Sequence, residues 1–367
     1  MTLLAFLLAI VILVGFHELG HFAIAKLCGV DVLRFSIGFG KPVWKSIPKS
    51  PSDTEWVIGL IPLGGYVKLL DHRDLEQKIE PFRAERAFDR QVLWKRSAIV
   101  AAGPIANFLL AFLLFAIIYF SGVKQLNPIL DEPVSSSIAF VQGVREGDQV
   151  VGFFNVDEPQ ELEPISSWNR LRWKLLKKVI KGEDFGLEIQ SKSGGSYRAM
   201  FALGQYSQFS SNELFDKLGL RPSLKEPIKV FELNASIGDA IYLAADRVWD
   251  ITTISIYSVR DLVLGRASIN QLSGPLSIAE MAGKSAGGGF QSFLAFLALI
   301  SISLGVLNLL PFPMLDGGQL LYHLIEVFKG KQISLEAQIW LQKIGFIGII
   351  SLTFIAFFND LVRLFGR

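Results

Sequence analysis

Apolar residues run almost unbroken over 3–27, and comparable runs recur over about 97–120, 290–310 and 341–364. Each has the length and composition of a helix that crosses a bilayer, which takes about 20 mainly apolar residues. Between the first two runs the pattern changes. Segments 34–44 and 55–70 are rich in Phe, Ile, Val, Trp and Tyr, with Gly38, Gly40, Gly64 and Gly65 as turn points, and predict paired strands. They are too apolar for a free loop, so they are expected to dip against the membrane helices and offer an edge to an extended peptide. An ordinary structural hairpin is the alternative reading. From Val123 to Val230 the pattern becomes that of a soluble domain. Gly147-Asp148 turns into a strand, and Ile165, Trp168, Leu171, Leu175 and Val179 mark one face of a helix. Phe185, Leu187 and Ile189 alternate as a strand, and Gly194-Gly195 turns the chain into another over 197–203. A partly amphipathic helical stretch with Ile241, Val248 and Ile251 then covers 231–289 and is expected on the membrane surface or against the spans.

The fold expected is a polytopic α-helical membrane protein with four transmembrane helices, a membrane-associated β-hairpin or sheet, and one inserted α+β domain. Its segments are a first transmembrane helix (1–28), a cytoplasmic and membrane-associated β region (29–96) and a second helix (97–122). The inserted domain (123–230), amphipathic connecting helices (231–289) and a third helix (290–312) follow. An Asp-Gly motif with a cytoplasmic loop (313–340) leads to the fourth helix and the C-terminus (341–367). Composition agrees: 51% of the 367 residues are hydrophobic and mean hydropathy is +0.41. A net charge of +2 without a long basic run argues against nucleic acid as a partner. The single cysteine, Cys28, excludes an intramolecular disulfide and a cysteine metal cluster, and reads as a small apolar residue at a helix end. Thirteen Lys and Arg lie from Lys26 to Arg96 and none before Lys26, which places that loop in the cytoplasm and the N-terminus and inserted domain outside it. The first run lacks a basic leader, so it is expected to be retained rather than cleaved.

The chemistry sits in the first run. His17-Glu18-Leu19-Gly20-His21 puts three ionisable residues at membrane depth, where such groups usually face a protein-lined cavity and act on something. Residues i and i+4 share a helix face, so His17 and His21 can present two imidazoles to one ion, with Glu18 as general base beside them. A catalytic zinc site needs a third protein ligand and an open position. Runs one and three cross the bilayer in the same sense, and at about 1.5 Å per residue His17 and Asn308 reach similar depths. Asp316, just past Pro311 and Pro313, is therefore the candidate third ligand, and Asn308 a candidate amide donor to a developing oxyanion. The alternatives are a turn or cap role for Asp316 and plain helix packing for Asn308. Asn107, in Ala101-Ala102-Gly103-Pro104-Ile105-Ala106-Asn107, is expected to hydrogen-bond across a helix pair. His72 and His323 read as structural or solvated.

Two resemblances follow. The segment 123–230 resembles a PDZ domain, with Asn155-Val156 where that fold's strand turn usually has Asn-Gly. The HELGH sequence, Gly103-Pro104 with Asn107, Ser273-Gly274-Pro275, Asn308 with Leu315-Asp316-Gly317, Arg86-Ala87-Phe88 and Phe358-Asn359-Asp360 together resemble the site-2 protease family of intramembrane metalloproteases, its bacterial sigma-E-regulating branch above all. The resemblance implies Zn2+ held by His17, His21 and Asp316, Glu18 as base, and Asn308 as a catalytic residue that contacts substrate or the transition state. It implies residence in the bacterial inner membrane, single-span membrane proteins as substrates (pre-trimmed anti-sigma factors or remnant signal peptides), and a peptide or C-terminus as ligand of the PDZ-like domain. It also implies two tandem PDZ domains, where this interval has room for one. Two other functions are compatible with the residues. One is a non-catalytic PDZ-bearing adaptor with structural zinc, and the other, weaker for want of a polar chain across the bilayer, is a metal transporter.

Overall fold

The computed structural model describes residues 2–48, 50, 53–73, 81–204, 217–225, 230–233, 235–265 and 272–365. Parts of the expected β region (74–80) and inserted domain (205–216) fall outside them. In chain order the elements are α1 (Thr2–Leu27), β1 (Val32–Lys45), β2 (Glu55–Leu69), α2 (Leu93–Phe120), β3 (Val123–Leu126), α3 (Ile138–Val141), β4 (Gln149–Asn155), β5 (Glu158–Pro164) and α4 (Trp168–Lys181). They continue with β6 (Phe185–Gln190), β7 (Ser196–Phe201), β8 (Val230–Leu233), α5 (Ile237–Val263), α6 (Pro275–Gly287), α7 (Phe290–Asn308), α8 (Asp316–Lys329) and α9 (Leu335–Phe365). Among them α1, α2, α7 and α9 are long and apolar enough to cross a membrane. The chain divides into two compact units, one of Met1–Phe115 with Ile269–Arg367 and one of Ala116–Ser268.

In the first unit, β1 and β2 make a sheet that is more folded than a plain hairpin. Arg34 to Ile37 pair with Lys68 to Gly65 and also with Glu55 to Ile58, while Trp44 and Lys45 pair with Ile58 and Val57. Both strands therefore bend, β1 at Gly38 and Gly40, whose φ values of +90° and +83° only glycine adopts without strain. The bend leaves 65–67 on an outer edge, with no second strand partner among the described strands. Phe22 of α1 meets Phe35 edge-on and Trp56 at a tilt, which fixes this sheet to the first helix. Below it, buried Asp31 takes ion pairs from Arg83 (2.8 Å) and Arg86 (3.1 Å), and Phe88 enters the core with Ala25, Val30 and Ile99. The Arg86-Ala87-Phe88 motif is thus a brace at the end of α1.

The segment expected as a loop over 313–340 carries α8 instead. Asp316 opens that helix, which favours an acidic first turn, and Gly330 closes it in the left-handed conformation at φ +68°. Gly317 and Gly318 allow the tight entry, because a Cβ on Gly317 would lie 2.3 Å from the carbonyl oxygens of Leu309 and Leu310. Another distant motif pair is joined at the start of α6. Its N-cap, Gly274, has no side chain to offer, and the buried carboxylate of Asp360 in α9 accepts from the backbone N–H groups of Gly274 and Ser277, both at 3.0 Å. Capping by a residue 86 positions away ties the last helix to the start of α6.

The second unit holds a four-stranded antiparallel sheet in the order β5-β4-β6-β7. Its core stacks Phe153, Phe185 and Phe201 under the buried face of α4, formed by Trp168, Leu171, Leu175 and Val179. The unit extends past the expected boundary at 230. The start of the expected helical stretch, 231–233, belongs instead to the strand β8, which pairs antiparallel with β3. Four residues are too few for periodicity to separate strand from helix.

Candidate active site

Four side chains from two distant parts of the chain line one cavity of about 240 Å3 in the first unit: His17, Glu18 and His21 from α1, and Asp316 from α8. His17 Nε2 and His21 Nε2 are 3.2 Å apart, and Asp316 Oδ2 lies 3.3 Å from the first and 3.5 Å from the second. The outer faces of both rings are held by α2. His21 Nδ1 donates to the carbonyl of Ile99 at 2.8 Å, which leaves its Nε2 as a bare lone pair. Asn107, fully buried, has its amide 3.2 Å from His17 Nδ1, with Oδ1 buried and unpartnered while Nδ2 faces the ring. Exchanging the two amide atoms lets Oδ1 accept from His17 Nδ1–H, which satisfies both groups and bares His17 Nε2 as well. Ser301 of α7 donates to the Asn107 backbone carbonyl at 2.7 Å, so a third helix steadies this contact.

Two lone pairs and a carboxylate oxygen would repel one another at these distances without a cation between them. A tetrahedral zinc with bonds of about 2.0–2.1 Å separates its ligand atoms by about 3.3 Å, and the three spacings here match that edge. Asp316 Oδ2 is also buried and makes no hydrogen bond. The donor set of two nitrogens and one oxygen therefore fits zinc, with a fourth position left for chemistry.

Local sequence explains how α2 comes so close. Gly103 faces the imidazoles: a Cβ there would fall 2.2 Å from His21 Nε2 and 2.8 Å from His17 Cε1. Pro104 has no N–H for the Val100 carbonyl and crowds the preceding turn, the one that supplies Ile99. Across the cavity Gly65, Tyr66, Val67 and Leu69 line the wall from the outer edge of the sheet. A Cβ on Gly65 would be 3.0 Å from Glu18 Cγ, so the strand passes directly over the acid. A second, more polar cavity of about 430 Å3 shares Val67, Leu69, Phe88 and Gln319 with the first.

The structure thus brings together His17, Glu18, His21 and Asp316. Asn308, the last residue of α7, is half-buried and is not among the residues that line this cavity. The orienting roles of Ile99, Gly103 and Asn107 are not evident from sequence, where Asn107 reads only as a helix-pairing residue. Its spacing of four from Gly103, on one helix face, is the signal that was available. His72 bonds Asp89 at 3.1 Å and His323 meets Ser97 Oγ at 3.1 Å, and both lie outside this cavity.

Comparison with known proteins agrees with this geometry. The sequence model of peptidase family M50 matches residues 5–352. A candidate zinc metalloprotease of Ralstonia nicotianae is 35% identical, with 100% of this chain and 99% of the relative covered. The regulator of sigma E protease of Haemophilus influenzae is 31% identical, covering 98% of each chain. The regulator of sigma-E protease of Escherichia coli is 30% identical, covering 99% of this chain and 98% of the relative. The Ralstonia alignment extends over 460 residues against 367 here, so a domain-sized stretch of that relative has no counterpart in this chain.

Proposed function

This chain belongs to peptidase family M50 and is a membrane-embedded zinc metalloprotease, and from that premise we propose that His17, His21 and Asp316 hold the zinc and Glu18 is the general base. The observation that carries this assignment is the near-equal spacing of three buried ligand atoms with Glu18 in the same cavity. Zinc bound there supplies Lewis acidity for hydrolysis at neutral pH. Glu18 takes the proton of the attacking water and passes it to the leaving amine. The substrate peptide adds as a strand to the 65–67 edge, where main-chain hydrogen bonds hold it extended beside the acid without demanding a sequence. Extension matters because an intact helix keeps its carbonyls bonded and out of reach. Asn308 contacts the substrate as the peptide seats. A lone structural zinc would leave Glu18 and the open strand edge without a role, which disfavours the adaptor reading.

The substrates are single-span proteins of the bacterial inner membrane, an anti-sigma factor already trimmed by another protease being the expected class, in keeping with the sigma-E regulators among the relatives. The inserted domain is PDZ-like and lies outside the cytoplasm. With one such domain in place of two, size filtering of substrates is looser or uses another contact. Incubating detergent-purified protein with single-span substrates, with and without a zinc chelator, tests the reading. Cleavage that the chelator abolishes and added zinc restores is expected, and chelator-resistant cleavage would refute it.

A further inference from the structure

A peptide seated on β2 has only half of its main chain satisfied. In a strand the N–H and C=O of one residue point to one side, and those of the next residue to the other. The row facing β2 pairs with the 65–67 edge in the strand-addition reading given above, on which this inference rests. The opposite row meets no strand, because β1 and β2 have no third neighbour in their sheet among the described residues. Main-chain groups left unpaired inside a cavity carry a desolvation cost, so a partner has to come from the wall that is not sheet.

Few side chains on that wall are uncommitted. Of the polar side chains lining the zinc cavity, His17, His21 and Asp316 converge on one point, and Glu18 is the base beside them. The Tyr66 phenol oxygen already accepts from Arg34 Nη1 at 3.1 Å. Gln319 remains. It is exposed, and its amide makes no hydrogen bond among the described residues. Three residues on from Asp316 in α8, it stands one turn further along the same helix face. A glutamine amide offers one acceptor oxygen and two N–H donors, which matches the N–H and C=O of a single strand residue.

The lining of the two cavities fixes its level along β2. Gly65 to Val67 and Leu69 line the zinc cavity, Val67 to Leu69 line the polar one, and Gln319 is common to both. Leu320, the next residue, joins the core cluster that Val67 and Leu69 pack against. Gln319 therefore belongs to the Val67 end of the site, whereas Glu18 lies at Gly65, its Cγ 3.0 Å from a Cβ placed there. We propose that Gln319 clamps the substrate main chain from the side opposite β2, through the N–H and C=O of a residue about two positions from the scissile bond.

Kinetics of the full-length, zinc-loaded protein on a synthetic single-span peptide, with one amide at a time replaced by an ester, test this. The ester removes a main-chain N–H and leaves every side chain in place. Gln319→Met keeps the length of the side chain without its amide, and Gln319→Ala takes its place should the first variant not fold. KM is expected to rise about tenfold with kcat and zinc content unchanged, as when binding is lost but chemistry is not. One ester, about two residues from the scissile bond, should cost the wild-type protein about fivefold in kcat/KM and cost the variant nothing further. Esters at the two flanking positions remove N–H groups that face β2 and should cost both proteins alike. An unchanged KM in the variant, or an equal cost of the central ester in both proteins, would overturn the role of Gln319 while the flanking esters keep strand addition standing. Flanking esters that cost neither protein anything would instead overturn strand addition, and this inference with it.

Discussion

A Cβ on Gly103 would sit 2.2 Å from Nε2 of His21, so the second membrane helix meets the nitrogen that faces His17 and Asp316 with bare backbone. Gly103→Ala must push the ring or the helix aside. A displacement of about 1 Å at a reacting site costs on the order of 100-fold in rate. Peptidase assays and zinc content of the purified variant are expected to fall together, with folding retained. A variant with wild-type zinc and activity would show that α2 has slack not evident in the structure.

Asn107 acts one step further out. Asn107→Leu keeps the bulk but removes the acceptor for His17 Nδ1–H, so the ring loses its fixed tautomer and orientation. Metal affinity is expected to fall by about 10- to 100-fold, as is usual when such an orienting partner is lost. Zinc competition with a graded chelator reads this directly, and activity should recover at high zinc.

The sequence reveals the half of this site that is local. HELGH carries its meaning in an i, i+4 spacing, and Leu315-Asp316-Gly317 in a carboxylate beside residues that turn the chain. What it hides is whatever depends on a partner 80 or more residues away. Ile99, Gly103 and Asn107 touch the two histidines only because α2 packs on α1, and no local pattern encodes that contact. Asp360 caps α6 through the same kind of distant meeting. The sheet is an intermediate case: its strands are evident from their composition, but the doubling that exposes 65–67 as an edge depends on where Gly38 and Gly40 bend β1. The four residues of β8 are too short to read, and α8 was obscured by the two prolines and two glycines around its start.

His323 gives the protein a pH signature separate from catalysis. Burial, with the Arg96 guanidinium second, pushes it down from 6.5 to about 4. The folded protein therefore holds it neutral while the unfolded chain binds a proton between those values. Stability is full above about pH 6.5 and declines as pH falls toward 4, by about 3 kcal/mol for this group. Thermal midpoints at pH 7.5 and 4.5 should fall less for His323→Gln than for the wild-type protein. Equal falls would show that other groups govern acid sensitivity.

Glu18→Gln separates the base from the ligands most directly, because it removes one ionisable oxygen and leaves His17, His21 and Asp316 untouched. Zinc content by elemental analysis, measured on the same preparation used to cleave a single-span substrate, gives both readouts at once. The expected result is wild-type zinc with cleavage lost by several orders of magnitude. Wild-type zinc with retained cleavage would contradict Glu18 as the base, and with it the central assignment of this site.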